Sequence, residues 1–180
     1  MYYNWYKTAQ EVFRGDTSPI NIEDYDPEYG IRELGKSQGA SAAWGPGIYF
    51  TNQEDIAEMY GSNITKKFLY NANILTNQSP LFSYQQIKKM IMEVDKATID
   101  MAVSNWDENY KNGLKILIQN IVNADSPLDQ LMNIWADVFS HQNSNAFIEL
   151  MIKNGIDGIS IQKEDAIYYV VYNILHLLFV

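Results

Sequence analysis

Three short segments of the chain combine residue types that could bind a flat ligand bearing phosphate groups. Arg14 is a planar, permanently charged donor suited to a diphosphate, and the adjacent Gly15 allows a ligand close to the backbone. Tyr49 and Tyr60 could stack on the two sides of a flat ring. A third segment begins at Tyr168. Taken singly, these features also fit an ordinary strand end and half-buried tyrosines that pack in a core.

Short strands, turns and one helix must position these residues in the first part of the chain. Strands are predicted over residues 11–14, 47–51 and 67–72. Glycine and proline predict turns between them, among others at residues 26–27, 35–39 and 45–47. A helix is predicted over residues 52–60, with Asn52 as its N-cap and acidic residues in its first turn.

From residue 81 to residue 154 the apolar residues recur every three to four positions, which indicates amphipathic helices. Ser126 followed by Pro127 is typical of a helix start, and a last helix is predicted over residues 145–153. Residues rich in β-branched and aromatic side chains then predict strands at about 156–161 and 168–172. Strands, a helical block and further strands make an α+β pattern, not a regular βαβ alternation.

Composition narrows the classes of partner. The 180 residues fit one domain, and the formal net charge of −9 gives no counterion-release affinity for nucleic acid, so nucleic acid is an unlikely partner. No apolar run is long enough for a membrane span, and the first residues do not resemble a signal peptide. With no cysteine and two distant histidines, we expect no disulfide and no metal site.

In their order along the chain, the segments resemble the ADP-ribosyltransferase superfamily, in its polymerase-like branch and especially in its short phage or bacterial members. Residues 45–61, GPGIYFTNQEDIAEMYG, are similar to the family's glycine-rich strand and the helix with a second tyrosine. Residues 154–161, NGIDGISI, and 168–173, YYVVYN, resemble its last two strand motifs. The resemblance, over about residues 10–75 and 154–180, implies a split β-sheet core. A single domain over residues 1–180 would then carry a helical insertion at 81–152.

The resemblance also implies roles in binding NAD. Gly15 would hold the nicotinamide amide through its backbone, and Tyr49 and Tyr60 would stack on the nicotinamide ring. Arg14 would position the NAD ribose or diphosphate. NAD would be the substrate, and no metal is implied.

The implied catalytic residues include one departure from the family pattern. Tyr168 stands where the family has a glutamate that stabilises the positive charge on the ribose as the glycosidic bond breaks. A tyrosine supplies no charge at pH 7. Glu164 or Asp165, in the preceding turn, could supply the carboxylate, or both could be solvated turn residues. The candidate catalytic residues are therefore Arg14, Tyr49, Glu164, Asp165 and Tyr168.

The activity implied by the resemblance is mono-ADP-ribosyl transfer, in which NAD is cleaved and ADP-ribose passes to a protein or another acceptor. Two alternatives stay open on the same fold. One is a catalytically inactive module that binds NAD or ADP-ribose, and the other is a protein-interaction module. We expect a cytoplasmic protein, in a host cell if the chain is encoded by a phage or another mobile element.

Overall fold

The computed structural model describes residues 6–19 and 44–179, and the turns predicted at 26–27 and 35–39 lie outside them. Two compact units divide the chain. One unit comprises residues up to Thr76 and from Met151 onward, and the other comprises Asn77–Leu150. All the residues with a predicted role in the site belong to the first unit.

The first unit is built on a six-stranded mixed sheet. Its strands are β1 (Tyr6–Asp16), β2 (Ile48–Thr51), β3 (Asn63–Leu75), β4 (Gly158–Lys163), β5 (Ala166–Val171) and β6 (Leu177–Phe179). They lie in the order β1-β2-β5-β4-β3-β6, and β3 pairs with β1 as well. The pairing of β3 with β4 is parallel and the others are antiparallel. A short helix, α1 (Glu54–Glu58), follows β2.

Alternation along the strands separates a core face from a second face. Because successive side chains of a strand point to opposite faces, Ile48 and Phe50 lie on one face while Tyr49 and Thr51 lie on the other. The core face is lined by buried residues from five strands: Val12, Ile48, Phe50, Leu69, Ala72, Ile74, Tyr169, Val171 and Leu177. The second face, which we call the tyrosine face, carries Tyr49, Thr51 and Tyr168.

The described strands form one connected sheet, whereas the family resemblance implied a split core of two small, roughly perpendicular sheets. The connections are narrow where the two sheets would divide. A single residue pair, Phe13 with Thr51, joins β1 to β2, and Ile74–Leu75 pair with Gly158–Ile159 to join β3 to β4. The chain is thus a mixed α/β protein, and the arrangement specific to the family stays a prediction.

The second unit is helical, as the periodicity predicted. Its helices are α2 (Tyr84–Met92), α3 (Lys96–Ser104), α4 (Tyr110–Val122), α5 (Pro127–Asn133), a π-helix over Ile134–Val138 and α6 (Ser144–Lys153), which continues into the first unit. The start predicted at Ser126 and Pro127 is confirmed, because the Ser126 side chain accepts a hydrogen bond from the Asp129 backbone N–H. Gly113 of α4 lets the backbone approach α3, since a Cβ there would lie 2.7 Å from the Val103 carbonyl oxygen.

The helix predicted after β2 exists, but its start and its N-cap residue were predicted wrongly. The N-cap position belongs to Gln53, and its side chain makes no capping hydrogen bond. Asn52 instead joins β5: its Oδ1 accepts from the Ile167 N–H at 2.8 Å, and its own N–H donates to the Ile167 carbonyl at 3.0 Å. Asparagine suits both roles, and the long-range strand contact prevails over the local cap.

A buried glutamine connects distant parts of the helical unit. The Gln130 side chain is fully buried, and its Oε1 accepts from the Phe82 backbone N–H at 2.7 Å. Its Nε2 donates to the carbonyl oxygens of Phe82 and Val122, at 3.0 and 3.3 Å. One side chain thus satisfies both backbone groups of Phe82, which lies before α2.

We expect Gln130→Leu to lower the free energy of unfolding by about 2–4 kcal/mol, because each buried backbone group left without its partner costs roughly 1–3 kcal/mol. Chemical denaturation measures the change. Gln85→Leu, at an exposed position of α2, is the matched control and should change stability by less than about 0.5 kcal/mol. Equal stability of the two variants would contradict this role of Gln130.

Candidate functional site

The tyrosine face brings together side chains from segments that are far apart in sequence. Thr51 of β2 pairs with Tyr168 of β5, and Tyr49 pairs with Val170. Residues paired across antiparallel strands lie on the same face of a sheet. Tyr49 and Tyr168 therefore lie on one face, as expected if both contact one ligand.

Tyr60 follows α1 and lies next to Tyr168. Burial raises the pKa of the Tyr60 phenol, and the neighbouring Tyr168 hydroxyl raises it further. The ammonium group of Lys163 acts in the opposite direction and lowers that pKa. Tyr60 nevertheless keeps 48% of its surface exposed. The second tyrosine of the glycine-rich motif and the first residue of the last motif thus meet at the surface.

Trp44 extends this pair of tyrosines. Its ring centroid lies 5.9 Å from that of Tyr168, with an angle of 46° between the ring planes. We refer to Trp44, Tyr60 and Tyr168 as the aromatic cluster. Trp44 and Tyr168 are half-buried, and Tyr60 is exposed. Trp44 was not predicted as a site residue, although its place directly before the glycine turn was a signal for it.

Tyr49 is half-buried beside this cluster and has a structural contact of its own. Its hydroxyl donates a hydrogen bond to the Gly45 carbonyl oxygen at 2.6 Å. The turn needs glycine at position 47, where φ is 144° and a Cβ would lie 2.5 Å from a Val170 methyl group. Tyr49 thus fixes the turn that follows Trp44, and its predicted stacking on a ligand stays a prediction.

The Arg14 side chain lies on the other face from the tyrosines, because Phe13 is the residue of β1 that pairs with Thr51. Its Nε and Nη2 groups donate to the two carboxylate oxygens of Asp16 at 2.9 and 2.7 Å. Its Nη1 group donates to the Tyr49 carbonyl oxygen at 3.3 Å. Strand alternation therefore places this guanidinium on the face opposite to Tyr49 and Tyr168.

Gly15 is required by packing within the protein. A Cβ at this position would lie 1.9 Å from the Ala57 carbonyl oxygen and 2.8 Å from that of Gly61. The end of α1 crosses β1 at this point, and glycine is the residue that permits such an approach. The crossing accounts for the glycine that the sequence analysis explained by a ligand.

Glu164 and Asp165 form the two-residue turn that joins β4 to β5. Both are exposed, and Glu164 has a left-handed backbone with φ of 55°. The Asp165 carbonyl oxygen accepts from the Gln53 side chain at 2.7 Å. The two carboxylates thus lie at the end of the hairpin that carries Tyr168, exposed to solvent.

The buried carboxylate of Asp157 was not predicted from the sequence. Its Oδ2 accepts from the Asn73 backbone N–H at 2.9 Å, and its Oδ1 accepts from the Asn173 side chain at 3.0 Å. The Nε2 of His176 lies 3.4 Å from the same Oδ1, and its Nδ1 lies 3.0 Å from the Tyr70 carbonyl oxygen. Asp157 and Asn173, which belong to the last two motifs, thus bind each other and have a structural role.

The part of the chain that the structure describes contains no group of three or more acidic or histidine residues arranged to bind a metal ion. Within the same residues, no helix has the length and apolar character that crossing a membrane requires.

Comparisons with known proteins do not assign the chain to a family. No family model matches it, and no curated protein matches it. Among solved structures, it is similar to the crystal structure of an anti-CRISPR protein at 13% identity, with 93% of each chain covered and a TM-score of 0.35. At this TM-score the similarity does not establish a common fold.

We expect Asp157→Ala to lower the free energy of unfolding by about 2–4 kcal/mol, because the part-buried Asn73 N–H and Asn173 amide lose their acceptor. Thermal or chemical denaturation measures the loss. Asp165→Ala, in the exposed turn, is the control and should stay within about 0.5 kcal/mol of the unchanged protein. A small effect at both positions would show that the Asp157 interactions are not needed for the fold.

Proposed function

We propose that this chain is an NAD-binding domain of the ADP-ribosyltransferase-like kind, in which the aromatic cluster holds a ring of the ligand. One observation carries the proposal: Tyr60 and Tyr168, from two motif segments more than a hundred residues apart, are neighbours at the surface of one sheet. The family resemblance assigns the nicotinamide to this neighbourhood. The geometry supports the binding of a flat ring there without Arg14.

The chemistry of the cluster suits a ring joined to a ribose. Stacking of a base on an aromatic side chain contributes about 1–3 kcal/mol per base. A tyrosine phenol is neutral at physiological pH, so the Tyr60 hydroxyl can donate a hydrogen bond to a ribose or amide oxygen. Neutral phenols also do not repel the ligand's negative charges.

Mono-ADP-ribosyl transfer is the second candidate, and the position of the β4–β5 turn favours it. In this reaction an acceptor nucleophile bonds to the anomeric carbon of the ribose while the bond to nicotinamide breaks. An anion near the ribose would stabilise the developing positive charge. Tyr168 cannot supply it, but Glu164 and Asp165 lie at the end of the same hairpin. Binding therefore has the stronger structural support, and transfer depends on these carboxylates.

We expect NAD to bind and to stabilise the fold by about 2.7 kcal/mol at a concentration one hundred times its Kd. Tyr60→Ala and Tyr168→Ala should each weaken NAD binding by roughly 5- to 150-fold, the equivalent of one lost stacking contact. Isothermal titration calorimetry measures the affinities. Tyr110→Ala, at an exposed tyrosine of the helical unit, is the matched control and should bind NAD normally.

An unchanged melting temperature and no heat of binding at millimolar NAD would refute the proposal. The chain would then fit the remaining alternative, a protein-interaction module on this scaffold.

If the chain is a transferase, incubation with NAD should release nicotinamide, measured by mass spectrometry. We then expect Glu164→Gln to slow the release by at least about 100-fold, because it removes the anion and keeps the shape. NAD affinity should be unchanged in the same variant. NAD binding without any release would identify an inactive binding module, and release that persists in both Glu164→Gln and Asp165→Asn would exclude this catalytic role.

A further inference from the structure

A cation beside the aromatic cluster would favour the binding of a ligand with a diphosphate. Lys163 lies on the same face of the sheet as Tyr168. The register pairs Lys163 with Ala166 and Ile161 with Tyr168. Side chains two positions apart on a strand share a face, so Lys163, Ile161 and Tyr168 lie on the tyrosine face. We propose that Lys163 binds the phosphate groups of the ligand, the role that the sequence assigned to Arg14. This inference rests on the proposed function and adds a residue to its site.

Arg14 is poorly placed for that role. Its side chain is 9% exposed and forms a bidentate ion pair with Asp16, whose side chain is 13% exposed. If Arg14 left this pair to bind phosphate, it would leave a nearly buried carboxylate without its cation, which is strongly unfavourable. It also lies on the face opposite to the aromatic cluster. The fold thus uses Arg14 to hold the end of β1 against β2.

Lys163 has the opposite properties. Its side chain is exposed, and within residues 10–19 and 44–178 it forms no salt bridge. Its positive charge acts on the Tyr60 hydroxyl, so the ammonium group is near the aromatic cluster. A lysine is a mobile point charge that binds phosphate without a fixed geometry. A ring on Tyr60 and Tyr168 would then carry its phosphates toward the end of β4.

The net charge of the protein makes a positive charge at the site more important for binding an anionic ligand. With a formal charge of −9, the chain as a whole repels an anionic ligand. A cation at the site must offset that repulsion locally. The ligand class that fits is an aromatic base joined through ribose to phosphate, as in NAD or ADP-ribose.

The test measures NAD affinity by calorimetry at two salt concentrations for the unchanged protein, Lys163→Gln and Arg14→Lys. We expect Lys163→Gln to weaken NAD binding about tenfold or more, because it removes a charge-assisted contact, and to reduce the salt dependence of binding. Lys163→Arg should restore most of the affinity. Lys88→Gln, at an exposed lysine of α2, is the matched control and should bind as the unchanged protein does.

Nicotinamide riboside, which has no phosphate, is the second probe, and its binding should not distinguish Lys163→Gln from the unchanged protein. The inference is overturned if Lys163→Gln binds NAD normally, or if both probes weaken equally. It is also overturned if Arg14→Lys alone loses NAD affinity while its melting temperature is unchanged. In each of these cases the unchanged protein still binds NAD, so the proposed function survives. If the unchanged protein does not bind NAD, both the proposed function and the role of Lys163 are overturned.

Discussion

The close crossing of α1 over β1 is the constraint on which the rest of the candidate site depends. A Cβ atom at Gly15 would lie only 1.9 Å from the Ala57 carbonyl oxygen. A Cβ atom at Gly61 would lie 2.1 Å from the Asp16 carbonyl carbon. Two glycines at one crossing allow the backbones to touch. Tyr60 is the residue before Gly61, so the crossing fixes where its ring lies relative to Tyr168. Alanine at either glycine would push α1, and Tyr60 with it, away from β1.

The division of the sheet into two faces then distributes the charges. On β1, strand alternation places Arg14 with Val12 on the core face, where a buried guanidinium needs a partner and has Asp16 two residues away. The tyrosine face carries the neutral phenols and the positive charge of Lys163. An arginine one position along, at residue 15, would face the tyrosines, but the crossing of α1 leaves no room for any side chain there. The sheet thus places the Arg14 guanidinium on the face opposite to Tyr49 and Tyr168.

The sequence predicted best what depends on local pattern. The helices of residues 84–153 and the Ser126 cap follow from apolar periodicity and capping chemistry, and the strands around Tyr49 and Tyr169 from β-branched and aromatic content. It underestimated β3, whose polar end, Asn63–Lys66, is a strand because it pairs with β1. The partners of Arg14, Asn52 and Asp157 could not be predicted, because each depends on which face of a strand meets which neighbour. The approach of Tyr60 to Tyr168 likewise depends on long-range packing and could not be predicted from local pattern.

The presence of Lys163 gives a physical reason for a tyrosine, and not a glutamate, at position 168. Position 168 shares a face with Lys163, so a carboxylate there would attract the same ammonium group. Such a pair would stabilise the negative charge needed for cleavage but would leave less of the lysine's charge for phosphate. A neutral phenol keeps that charge available and adds a surface for stacking. In the proposed site, Tyr168 would add a surface for stacking, and cleavage would depend on the carboxylates of the adjoining turn.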